Sequence, residues 1–173
     1  MALGDLPAVF TYSEAHRLGL SERKLYKLRD QGDIESIGWG LFRRTDAELD
    51  ADIDLVEIAV RAPRATLCLA SALARHGLTD MIPAEIDIAL PRGGRRPRTR
   101  APVVWHMFSP NTYEIGRHEF RLTPSLALGI YDPERCIIDA FRLRHREGSE
   151  LAVTALRRWL GRPAVQPDRK SVV

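Results

Sequence analysis

Between Val9 and Gln31 the apolar residues fall twice into short helical repeats separated by a glycine turn, and the segment after them changes to the pattern of a small hairpin. Thr11 with Glu14 forms a capping box that opens a helix carrying Ala15 and Leu18 on one face, and Gly19 is placed to end it. Ser21 then caps a second helix over about Glu22 to Gln31, with Leu25 and Leu28 at i, i+3 and Gly32 at its close. At about 100° per residue, Arg23, Tyr26, Lys27 and Asp30 point away from the leucines. Ile34, Ile37, Leu41 and Phe42 flank Gly38-Trp39-Gly40, a hairpin signal, and Arg43 and Arg44 leave that hairpin as a basic pair. Two helices, a tight turn and a hairpin are the outline of a winged helix-turn-helix. Its second helix would bring Ser21, Glu22, Arg23, Tyr26 and Lys27, with Lys24 beside them, to the major groove, while Arg43 and Arg44 hold phosphates. A small structural helix-hairpin with solvated charges is the plainer alternative.

Composition shifts at Thr45, after which Asp46, Glu48, Asp50, Asp52 and Asp54 meet no cation. The pattern predicts a boundary here: residues 1–46 as the DNA-binding unit, 47–162 as a second unit, and 163–173 as a frayed tail. The acids lead into a helix with Ile53, Val56, Ala59 and Val60 as its apolar positions and Arg61 at its end. Asp50, Asp52 and Asp54 lack the glycine and distal glutamate of a calcium loop. Ser71 is read as the cap of a helix running to Arg75 or His76 and stopping at Gly77. Glu85 to Leu90 and Val103 to Phe108 read as strands, and Glu119 to Leu122 as a third. Asp132-Pro133-Glu134 opens a helix with Cys136, Ile137, Ala140 and Phe141 as its buried stripe, and a last helix spans about Ser149 to Leu160. The expected fold class is α+β: an N-terminal winged helix-turn-helix followed by a mixed domain with a small sheet and flanking helices.

The 173 residues, 45% of them hydrophobic, suffice for real cores. A pI near 9.1 favours an anionic partner. No apolar run approaches the roughly 18 to 20 residues of a membrane span, and no signal-like segment opens the chain, so a soluble cytoplasmic protein with reduced Cys68 and Cys136 is expected.

Five arginines crowd one loop, Arg92, Arg95, Arg96, Arg98 and Arg100, with glycine and proline among them. If all five met phosphates, the salt slope would be about −4.5 in log K against log salt; a solvated tip or a surface for an acidic protein fits the run equally. Asp87 is placed like the first carboxylate of a metal-dependent nuclease, yet the next strand offers only His106 and no Glu-x-Lys pair. The histidines and cysteines lack zinc-ligand spacing, and His76 reads as a helix-end residue near the last carbonyls. No enzymatic activity, metal or cofactor is expected.

Leu18-Gly19-Leu20-Ser21 with Leu25 and Leu28, then Gly40-Leu41-Phe42-Arg43, resembles the winged-helix layout of AbiEi-type antitoxins of type IV toxin–antitoxin systems. Ser71 to Leu78 is similar to that family's "SAL-x-x-HGL" signature, and Asp132 to Asp139 to its "D-P-E-R-x-x-x-D" helix. The motifs occur in order over about Leu6 to Leu160. The resemblance implies an autorepressor that binds inverted repeats in its own promoter, joined to a domain opposing a nucleotidyltransferase-like toxin without necessarily touching it. The chain departs in having Phe42 where tyrosine is usual and in ending soon after Leu160, which makes DNA binding the firmer expectation of the two. An interaction module built on the basic loop and a degenerate nuclease-related regulator are the alternatives, distinguished by a pull-down lost on changing Arg95, Arg96 and Arg98 and by cleavage lost in Asp87→Ala.

Overall fold

The structure, a computed structural model, describes residues 3–47, 52–123 and 126–162. Among them the fold is mixed α+β, with eight α-helices and two sheets of three and five strands.

The N-terminal part contains β1 (Val9–Thr11), α1 (Tyr12–Arg17), α2 (Glu22–Asp30), β2 (Ile34–Gly38) and β3 (Leu41–Arg44). Thr11 Oγ1 accepts from the Glu14 amide at 3.1 Å while Glu14 accepts from the Thr11 amide at 2.7 Å, so the capping box starts α1 as expected. Leu18, placed on the helix face by its spacing, is instead exposed, because the chain turns at Gly19 (φ +86°) and Leu20 fills the core in its place. Ser21 caps α2 through the Lys24 amide. The strand β1, which the sequence pattern did not reveal, pairs with β3 and makes it central in the order β1-β3-β2. Phe10 lies opposite Phe42 with rings 5.9 Å apart, and both join Leu6, Ala15, Leu20, Leu25 and Ile34 in one small core.

The rest comprises α3 (Ile53–Arg61), β4 (Thr66–Leu67), α4 (Leu69–Arg75), β5 (Ile86–Pro91), β6 (Val103–Phe108), α5 (Pro110–Tyr113), β7 (Arg117–Thr123), β8 (Leu126–Tyr131), α6 (Pro133–Arg142), α7 (Arg144–Glu147) and α8 (Ser149–Leu160). The sheet order is β6-β5-β4-β8-β7, with β5/β6 and β4/β8 parallel and the other pairs antiparallel. α6 packs between α4 and α8. A single larger core, from Leu55 to Ala155, unites sheet and helices.

Three expectations are corrected. The buried face of α3 is Leu55, Val56, Glu57, Ile58 and Ala59, whereas Ile53 stands at the exposed end of its first turn. α4 begins at Leu69, so Ser71 lies inside the helix and does not cap it; its hydroxyl turns inward to a buried strand residue. His76 does not serve the carbonyls of its own helix: its Nε2 lies 2.7 Å from the Tyr131 carbonyl on β8. The strands β4 and β8 and the short helices α5 and α7 also escaped the sequence pattern. Glu48 and Asp50 and the 163–173 tail lie outside the described residues.

Candidate nucleic-acid interface

The outer face of α2 presents Glu22, Arg23, Lys24, Tyr26 and Lys27 to solvent, with Ser21 exposed at its cap. Leu25 anchors the opposite face at 1% exposure, which fixes the rotation of the helix and hence the direction of these side chains. Glu22 faces Tyr12, whose phenol is raised above its ordinary value by desolvation first and by that carboxylate next. Arg29 stacks its guanidinium 4.7 Å from the Tyr26 ring centre and pairs with Asp30 at 2.9 Å. Arg23 and Lys27 form no ion pair among the described residues.

The basic pair after the hairpin is engaged within the molecule. Arg43 Nε lies 2.7 Å from Glu35 Oε1, outside hydrogen-bond alignment. Arg44 makes a two-pronged contact with Asp46 and donates to the Leu6 carbonyl at 2.8 Å, tying the N-terminal turn to β3.

At the hairpin tip Trp39 is 64% exposed. A groove of about 360 Å³ runs from it past Tyr12 and Tyr26 to Arg29 and Arg100. Sequence reading passed over Tyr12, Arg29, Trp39 and this use of Arg100; an exposed tryptophan between two glycines was the available signal for one of them. Arg100 reaches the groove because its backbone amide is held by the buried Glu57 carboxylate at 2.8 Å and its guanidinium lies 3.5 Å from the Ser36 carbonyl.

The five loop arginines are all exposed but do not form one patch. Arg92 and Arg96 border a cleft beside β6, Arg92 and Arg95 a cavity near Arg61 and Arg64, and Arg100 the groove just described, while Arg98 borders none of these three.

Asp87 is buried, with Oδ1 2.9 Å from His106 Nε2, Oδ2 3.4 Å from the Ser71 amide, and its own amide donating to Ser71 Oγ at 2.8 Å. Both carboxylate oxygens are therefore occupied by the protein. Among the described residues no group of three or more His, Cys, Asp or Glu side chains is arranged to hold a metal, and no helix is long and apolar enough to cross a membrane. Cys68 and Cys136 are buried and form no disulfide among the described residues, and burial pushes the Cys136 thiol well above its ordinary value. Compared with protein-family models the chain matches none, and a comparison with curated proteins likewise gives no match.

Proposed function

We propose that residues 1–46 act as a winged helix-turn-helix that binds double-stranded DNA, with α2 in the major groove and the β2–β3 hairpin as the wing. The observation that carries this reading is the outer face of α2: exposed Arg23 and Lys27 without an ion-pair partner among the described residues, beside Tyr26, on a helix oriented by buried Leu25. Arg23 and Lys27 reach base edges and neighbouring phosphates, Ser21 and Lys24 lie where the helix start meets the backbone, and Trp39, Arg29 and Arg100 extend the contact along the groove at the wing. Arg43 and Arg44 brace the wing and meet phosphates only where DNA competes with Glu35 and Asp46 for them.

The ordered resemblance to AbiEi-type antitoxins supports the further proposal of an autorepressor at inverted promoter repeats whose 47–162 unit opposes a nucleotidyltransferase-like toxin, without a catalytic role of its own. The test is binding of the purified protein to its own upstream DNA against scrambled DNA across a salt series. Arg23→Ala is expected to cost roughly 1 to 3 kcal/mol and to relax base preference, and Arg23→Ala/Lys27→Ala to abolish selectivity. Unchanged preference in the double variant would refute the placement of α2.

A further inference from the structure

A cleft of about 520 Å³ opens where the parallel strands β5 and β6 end, the side of such strands on which ligands of α/β sheets bind. Arg92 enters it from the end of β5, Arg96 from the loop, Arg142 from the last turn of α6 and Arg146 from α7. Among the described residues no carboxylate lines it. Arg142 pairs with Asp139 at 2.8 Å, whereas Arg92, Arg96 and Arg146 have no carboxylate partner among the described residues. Four guanidinium groups drawn around one cavity repel one another until an anion enters.

His106 lines the same cleft, its side chain 2% exposed. Nε2 is taken by Asp87, while Nδ1 is buried without a partner. With Nε2 donating to the carboxylate, Nδ1 is left as the acceptor of the ring. Trp105, half-buried on the edge strand, supplies an aromatic surface beside these cations.

We propose that this cleft binds a small phosphate-bearing anion of mononucleotide size, its phosphates held by Arg92, Arg96, Arg142 and Arg146 and its ring placed against Trp105. Planar guanidinium groups match phosphate oxygens two at a time, and the volume is that of a small-ligand site. The site is separate from the α2 face and does not depend on DNA binding.

Calorimetric titration of the full chain with ATP, inorganic pyrophosphate and adenosine tests it. Saturable binding of ATP and pyrophosphate, with ATP the tighter and adenosine silent, is expected. Arg96→Ala/Arg146→Ala, both exposed positions, should weaken ATP about a hundredfold, near tenfold for each charged contact. Arg98→Ala, on the same loop outside the cleft, should leave affinity unchanged, as should Arg23→Ala/Lys27→Ala. Absence of saturable binding, or equal weakening by Arg98→Ala, would overturn the proposal by reducing the cleft to diffuse charge. Displacement of ATP from the Arg23→Ala/Lys27→Ala protein by a DNA duplex would overturn it in favour of nucleic acid as the occupant.

Discussion

Glu57 and Gly38 meet where the two hydrophobic cores adjoin. The Glu57 carboxylate is 1% exposed and accepts from Arg61 at 3.0 Å and from the amides of Arg100 and Ala101 at 2.8 and 3.2 Å. A Cβ at position 38 would stand 2.8 Å from Glu57 Oε1, so only glycine lets the β2–β3 hairpin approach this carboxylate. Gly38→Ala is expected to cost about 1 to 3 kcal/mol, through the displaced carboxylate and the two amides it leaves weakly bonded; urea unfolding measures it. The sequence marked Gly38 as a turn residue. It carried no sign that a glutamate distant in the chain required it.

At the scale of elements, α6 shows how a motif is legible while its purpose is not. Asp132 caps the helix by accepting from the Arg135 amide at 2.7 Å, as the Asp-Pro-Glu start predicts. The buried face, however, includes Arg135 and Asp139, which pair at 2.7 Å with side chains only 8% and 3% exposed. Arg135 also donates to the Thr112 and Ile115 carbonyls and stacks 4.4 Å from the Tyr131 ring centre. Asp139→Ala strands that guanidinium in the core and is expected to cost about 3 to 5 kcal/mol, with Asp139→Asn losing less, as read by guanidinium chloride unfolding. Equal losses in both would show that the charge is immaterial. Apolar periodicity identified Cys136, Ile137 and Ala140 correctly, but a buried ion pair has no apolar signature. Ser71 shares this fate: its position suggested a cap, and the buried Asp87 amide claimed its hydroxyl.

Over the whole molecule, surface ion pairs fasten distant segments. Arg158 on α8 grips Asp80 after α4 and holds that carboxyl below its ordinary value of 3.8, as Arg44 does Asp46. A lowered folded value means that these pairs contribute in full above 3.8 and fade as pH falls through the folded values. The Tm difference between wild type and Arg158→Ala should therefore be constant above about pH 5 and shrink in more acidic solution. A difference that grows on acidification would contradict this. The basic loop acts at the same scale: one run of sequence supplies three surfaces, because Glu57 pins the amide of Arg100 near the β2–β3 hairpin while Arg92 continues from β5 toward the α6–α7 side.

Local patterns sufficed wherever a segment's own residues supply the stabilising partners. The capping box of α1, the caps of α2 and α6, the hairpin glycines and the span of α8 are satisfied within a few residues, so the sequence alone determined them, together with the charged outer face of α2; the β5 and β6 runs were legible from their apolar residues, although their backbone partners lie on other strands. Tertiary structure decided the rest. The two-residue strand β4 exists only between β5 and β8, and Gly129 on β8 is a glycine because Thr66 and Arg117 crowd its position. The Asp87–His106 pair, the four arginines gathered around one cleft and the Glu57–Gly38 contact each join residues far apart in the chain. Such meetings follow from the closing of the sheet and the docking of helices on it, and no spacing within a single segment encodes them.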